Sequence, residues 1–392
     1  MHKYIKNNKS ARFELGYYLS GIIIKVPSVL YNAVITAFLI ESGFSMTQIG
    51  IVWSITLFSN TILDFPTGGF ADKFGRLKIY MIGMIIMGIA NILYATSNSN
   101  ILIIYLAAFL LGTGESQVSG TMPAWFISLV HSTDRKYIKH VFATNQMIAN
   151  IVSIIFGFLI AYIKFDYFPV LLFSGIFRIA GSILLFLFFQ DNKGSGITIR
   201  ENLKASLVLF IRDHQLQVCS ILLSLLYSFY SLYLFVWQPA GQKFGVSGNI
   251  VNAVQSIYIF SLFVGSVISR KYYLSKRQNQ LSLLLLCTSF FLIILSKYLW
   301  LYLLGIVIYG ISYGIATPYV MSQIQLFVKD KYRSSLTSLI SSVSSLFLII
   351  LQVFIGHLID KYSYHPVLIL STLFMVISIF CVEYIEKFSD NG

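Results

Sequence analysis

Residues 64–78 read Asp64-Phe65-Pro66-Thr67-Gly68-Gly69-Phe70-Ala71-Asp72-Lys73-Phe74-Gly75-Arg76-Leu77-Lys78. An apolar run, 48–70, leads into this stretch, and a second, 78–96, follows it. A helix needs roughly 20 apolar residues to cross the hydrocarbon core of a bilayer. The pattern therefore predicts two spanning helices joined by a short charged turn. Its glycines let the two helices approach closely. Asp72 lies among Lys73, Arg76 and Lys78 and stays ionised in that company.

Outward from this turn the same pattern repeats. Twelve segments qualify as spans: 15–40, 48–70, 78–96, 101–123, 141–163, 168–189, 216–238, 250–269, 281–296, 299–322, 336–358 and 365–384. The 392 residues are 57% hydrophobic and only 11% charged, against about 25% charged in an average soluble domain. No soluble domain fits between the segments. The longest polar stretch, Asp191 to His214, contains the apolar patch Leu207 to Ile211. It reads as a cytoplasmic linker with a surface helix. The expected organisation is an N-terminal six-helix half over 1–190, a linker over 191–215 and a C-terminal six-helix half over 216–392.

Met1 to Glu14 is basic and polar, and the apolar run after it lacks a small-x-small cleavage site. That describes a retained first helix rather than a signal peptide. Cys219, Cys287 and Cys381 each sit inside an apolar segment, with no C-x-x-C and no histidine at ligand spacing. They read as packing residues, and no disulfide or metal site is expected.

The net charge of +13 would suggest nucleic acid in a soluble protein. Here its distribution says otherwise. With the N-terminus inside, 22 Lys and Arg residues fall on cytoplasmic segments. Only Lys164, Lys243, Lys297 and Lys361 fall outside. Such a bias orients a multi-pass protein with both termini in the cytoplasm. It also excludes nucleic acid as the partner of the basic residues. The Ile-, Lys-, Asn- and Tyr-rich usage points to an AT-rich bacterial gene, and hence to a bacterial cytoplasmic (inner) membrane.

The chain also repeats itself. Gly68-x-x-x-Asp72-Lys73 has a counterpart in Gly265-x-x-x-Ser269-Arg270, offset by 197 residues. Arg135 has one in Arg333, offset by 198. Two parallel six-helix halves, with a site near the middle of the membrane, are expected from such a repeat. The turn quoted above resembles the signature between the second and third helices of the major facilitator superfamily, G-x-x-x-D-(R/K)-x-G-R-(R/K). Gly68, Asp72, Lys73, Gly75 and Arg76 match it. Leu77 departs from it, with Lys78 one place later. The resemblance extends over the whole chain and implies an all-α integral membrane fold of twelve transmembrane helices in two pseudo-symmetric halves. It further implies that Asp72, Lys73, Gly75, Arg76 and Lys78, with Gly68, latch the halves on the cytoplasmic side and release during alternating access. A tight positive-inside turn is the plainer reading. Gly112-Thr113-Gly114, Ser119-Gly120 and Trp237-Gln238-Pro239 look like the drug and natural-product efflux branch. The exporter-type G-x-x-x-G-P is missing from the fifth span, which offers only Gly157.

Ionisable residues inside a membrane are costly and usually pair or line a cavity. Four stand out, all in the first half: Lys25, Asp64, Glu115 and Arg178. Lys25 shares a face with Ser28, Asn32 and Thr36. It either lines a cavity or snorkels to the headgroups. Arg178 is about eleven residues from each end of its span and needs a carboxylate or an anionic substrate as partner. Glu115, with Ser119 one turn on, is either the acid that loads and releases a proton or a static partner of Lys25 or Arg178. Asp64 follows Thr56 and Asn60 on one face and reads as structural, beside the latch.

The second half offers polarity without charge. Tyr227, Tyr230 and Trp237 fall on one helical face, with Gln238 and Tyr233 nearby. They read as an aromatic wall for a large amphipathic solute, or as packing. Gln146, Asn150, Ser153 and Gly157 share a face, as do Ser341, Ser345 and Gln352. Gly310, Gly314 and Pro318 suggest bending or close packing. No P-loop, catalytic triad, metal cluster or dinucleotide fingerprint is present, so no enzyme and no cofactor is expected. The leading expectation is a monomeric, proton-coupled exporter (an antiporter) of an amphipathic, anionic or peptide-like compound. Candidate cargoes are an antibiotic, a siderophore or a microcin-like product, with antibiotic resistance or self-immunity as the role. Two alternatives stand beside it: a proton-coupled importer of a small nutrient, and a receptor or enzyme on the same scaffold that no longer transports.

Overall fold

A computed structural model describes residues 8–130, 135–163, 166–193, 207–246, 250–272, 275–327 and 333–389. Its long elements are all helices. In chain order they are α1 (Asn8–Glu41), α2 (Met46–Phe74), α3 (Arg76–Ala95), α4 (Ile101–Val118), α5 (Thr121–Val130), α6 (Arg135–Ile163) and α7 (Tyr167–Phe188), followed by α8 (His214–Gln242), α9 (Ile250–Lys271), α10 (Lys276–Leu295), α11 (Leu299–Phe327), α12 (Arg333–Tyr362) and α13 (His365–Ser389). Among the described residues, twelve spans are long and apolar enough to cross a membrane, with α4 and α5 counted together. The expected number of spans holds.

The local reasons are conventional. Asn100 accepts from the N–H groups of Leu102 and Ile103 at 3.0 and 3.4 Å and starts α4. Asp213 does the same for α8 through Gln215 and Leu216. Ser275 and Gln278 form a reciprocal cap at the start of α10. Each cap satisfies N–H groups that a helix start leaves without partners. Leu102, Phe188, Ile350 and Phe380 turn apolar side chains outward. Water would penalise such a surface, but lipid accepts it.

The fourth span departs from the expected 101–123. It continues to Val130 but breaks at Ser119 and Gly120. Ser119 is extended (ψ 123°), and Gly120 takes a φ of +69°, which a side chain disfavours. The ladder resumes where the Ala124 N–H donates to the Gly120 carbonyl. Periodicity cannot reveal such a break, because two residues interrupt an apolar pattern without changing its phase much. The first helix also starts earlier than expected, at Asn8.

The chain forms two compact units. The first comprises 1–38 and 55–197, and the second 39–54 and 198–392. Residues 194–206 of the expected linker lie outside the described residues, and 207–212 form a helical turn over the Leu207–Ile211 patch. Within the second unit, α9 and α11 touch backbone to backbone. A Cβ on Gly265 would lie 2.1 Å from the Ile311 carbonyl oxygen, and one on Gly314 would lie 2.4 Å from that of Leu262. Small residues permit this approach where lipid supplies no hydrophobic drive.

Candidate substrate and coupling site

In the first unit, α7 carries Arg178 fully into the interior, at 1% exposure. Ser174 and Ser182, one turn either side, are also buried. The Nη2 of Arg178 donates to the Ser28 hydroxyl on α1 at 3.0 Å. Ser28 in turn donates to the Ile24 carbonyl at 2.7 Å, just beyond Pro27, which interrupts the backbone bonding of α1. The Nε and Nη1 of Arg178 have no hydrogen-bond partner. Glu115, Tyr31 and Tyr80 are close enough to act on its charge.

Ser28 is part of the wall of a cavity of about 410 Å³ inside the same unit. Asn60, Tyr80, Glu115, Ser119 and Asn145 also line it. The Asn60 amide donates to Glu115 Oε2 at 3.3 Å. Asn145 Oδ1 is buried and unpartnered. The broken backbone at Ser119 and Gly120 forms part of the same wall. Irregular backbone at membrane depth is tolerated where it lines a cavity, so the break and the acid belong to one structure. The cavity thus presents a carboxylate and a free amide carbonyl. A guanidinium with unused donors stands one hydrogen bond behind Ser28.

The residues singled out in the sequence divide as follows. Glu115 lies on this cavity, and Arg178 lies directly behind it. Lys25 and Asn32 are half-buried on α1, outside the cavity wall. Gln146 is exposed and Asn150 half-buried, while the neighbouring Asn145 faces the cavity. The sequence reading missed Asn145 and Tyr80. Asn145 sits beside the polar face chosen on that helix, and only the rotation of α6 tells which face is used. Tyr227 and Tyr230 are half-buried in the second unit, whereas Trp237 and Gln238 are fully buried.

Residues of the 64–78 turn take partners inside the first unit. Arg76 donates to the Ala124 carbonyl at 2.9 Å and to the Ser128 hydroxyl. The N–H groups of Leu77 and Lys78 donate to the Asp191 carboxylate at 2.8 and 3.4 Å. Gly75 has a φ of +116°, and a Cβ there would lie 2.0 Å from Asp191 Oδ2. The motif thus ties the start of α3 to the segment after α7. Lys73 is exposed, and Asp64 is half-buried within hydrogen-bonding reach of Ser119. Gly68 and Asp72 lie on α2, and what surrounds Gly68 and the Asp72 side chain lies outside what the structure describes.

The profile of the Major Facilitator Superfamily matches residues 17–346. The chain belongs to this superfamily: it is a secondary transporter, a multi-pass membrane protein and not an enzyme. It is 23% identical over 389 residues to the uncharacterized MFS-type transporter YxaM of Bacillus subtilis (strain 168), covering 92% of this chain and 93% of that one. A shorter match, 33% identical over 110 residues, links it to the uncharacterized transporter YybO of the same organism, and spans 28% of this chain and 25% of YybO. Among solved structures it resembles the nucleoside transporter NupG, with a TM-score of 0.76 at 15% identity, covering 97% of this chain and 100% of that one. At that identity the likeness speaks for the fold alone.

Proposed function

We propose that this chain is a proton-coupled exporter of an amphipathic, peptide-like zwitterion, that its two halves are divided by the 191–215 linker, and that both termini are cytoplasmic. One observation carries the cargo class. A buried guanidinium with two unpartnered nitrogens stands behind a cavity that holds a carboxylate. Unmatched donors of that kind suit an anionic group, and Glu115 suits a cationic one.

The coupling follows from charge. An ionised Glu115 holds the ammonium end of the cargo, while Arg178 draws its anionic end through Ser28. A proton arriving at Glu115 cancels the attraction for the ammonium and releases the cargo. Proton and cargo then exclude one another at the same carboxylate, as antiport requires. A purely anionic cargo would behave oppositely. Protonation of Glu115 would leave Arg178 unopposed and favour its binding, so proton and anion would travel together. That is the importer reading, and the direction of proton flow separates the two.

The test uses everted membrane vesicles with an acidic interior and the fluorescent zwitterion norfloxacin as probe. The exporter accumulates the probe and dissipates the pH gradient as it does so. The Glu115→Gln variant loses both effects. A variant that still couples accumulation to the gradient removes Glu115 from this role. Probe entry that deepens acid uptake in the same direction replaces the exporter with the symporter.

A further inference from the structure

Inside the first unit, α2 grips α4 just beside Glu115. A Cβ placed on Gly112 of α4 would lie 2.0 Å from the Thr56 carbonyl oxygen and 2.2 Å from the Ser59 hydroxyl of α2. The two helices therefore touch at backbone distance, as small residues allow inside a membrane. The Thr56 hydroxyl adds a bond of its own, donating to the Ala108 carbonyl at 3.2 Å, one turn from Gly112. Together these contacts fix the register of α2 on α4.

That register places two polar side chains opposite each other. Asn60 lies one turn beyond Thr56 on the same face of α2, and Glu115 lies one turn beyond Gly112 on α4. The Asn60 amide accordingly donates to Glu115 Oε2 at 3.3 Å, and both side chains line the 410 Å³ cavity. Other groups surround the acid. Arg178 of α7, Tyr31 of α1 and Tyr94 of α3 stand near enough to feel its charge. Tyr80 of α3 shares the cavity wall, and Asp64 lies one turn along α2 from Asn60. Asn60 differs from these in donating a hydrogen bond to the carboxylate itself. Such a donor favours the ionised carboxylate over the protonated one.

We propose that Asn60 is a positioning residue for Glu115: its amide holds Oε2 and steadies the ionised acid, Oε1 is left for the cavity's occupant, and Gly112 is the spacer that brings the amide within reach. The inference rests on the reading of Glu115 as the coupling acid, and it adds the group that sets where the proton is released. Asn60 touches the acid and acts through it. Arg178 and the three tyrosines stay in place in every variant below.

Dicyclohexylcarbodiimide, which reacts with protonated carboxyl groups, tests this on the purified full-length protein in detergent. The measurement uses no cargo and no gradient, so its failure is distinct from a failure of the exporter scheme in vesicles. Labelling of the peptide that contains Glu115 is followed by mass spectrometry across pH, with Glu115→Gln as the blank. In Asn60→Leu the labelling profile moves to higher pH by about one unit, the ten-fold change in proton affinity that one hydrogen bond to a charged group supplies. Asn60→Gln, which keeps an amide donor, returns the profile toward the native one. Gly112→Ala moves it in the same direction as Asn60→Leu with Asn60 intact, because the added methyl forces α2 and α4 apart. Should Gly112→Ala fail to fold, the two Asn60 variants decide alone. An unmoved profile in Asn60→Leu overturns the proposal. A change in labelling that is equal at every pH does so too, since it would make Asn60 a piece of the wall and nothing more. Labelling of native Glu115 at no pH also overturns it, because an acid that takes up no proton has no release to set.

Discussion

Arg178 retains hydrogen-bonding capacity that a structural ion pair would have used. One of its nitrogens meets Ser28 at 3.0 Å, and two meet nothing. Removing a fully paired buried charge is strongly destabilising, but removing a poorly paired one relieves desolvation as it breaks contacts. Arg178→Met, which keeps the side-chain volume, is therefore expected to change unfolding stability by less than about 1 kcal/mol. Transport of norfloxacin by the same variant should fall to background. Thermal unfolding in detergent, run beside vesicle transport, checks both. A loss above about 3 kcal/mol would assign Arg178 a structural duty instead. Glu115 lines the same cavity as Ser28, which Arg178 contacts. Asn60 already donates to one of its oxygens at 3.3 Å, so Glu115→Gln keeps the shape of the site and removes the charge that holds the ammonium end. Accumulation in that variant should no longer respond to the pH gradient, and equilibrium exchange of probe should fall with it.

Two helix starts carry predictions at the next scale. At the head of α2, the backbone N–H groups of Met46 and Thr47 donate to Asp360 at 2.8 Å each, and the Thr47 hydroxyl does so at 2.6 Å. All three residues belong to the second unit. The carboxylate also faces the positive end of the helix. Asp360→Ala should destabilise the protein by about 1 kcal/mol, and Asp360→Asn, which keeps an acceptor, by less. The midpoint of chemical unfolding reads this directly. The second site is the break between α4 and α5. Nothing lies within 4 Å of a Cβ placed on Gly120, yet its φ is +69°. Gly120→Ala should thus lose only the backbone preference, about 1 kcal/mol. Gly75→Ala should lose more, because its new methyl meets the Asp191 carboxylate that caps α3. The same unfolding measurement ranks the two, and an equal loss at both positions would contradict the geometry.

At the scale of the whole molecule, charge placement predicts topology. Cytoplasmic loops collect Lys and Arg, so a fluorescent protein fused after residue 392 should fold and glow. Alkaline phosphatase fused in the 361–364 turn should be active, and the reverse pattern would invert the assignment. Much of this level was legible in one dimension. The number of spans follows from the lengths of apolar runs, and the family follows from the turn around Gly75 and Arg76 and its offset copy. Neither depends on which way any helix is rotated. The candidate sites were legible only in part. Arg178 and Glu115 declared themselves, because an ionisable residue inside an apolar run is anomalous wherever it points. Asn145 did not, because one residue along a helix is a turn of about 100°, and polar Gln146 beside it was an equal claimant. The sequence by itself determined a twelve-span transporter and its buried charges, since hydropathy and charge are properties of the chain in order. Helix rotation and packing alone decided which polar groups meet and which are left without partners, since burial and hydrogen bonding are relations between residues far apart in that order.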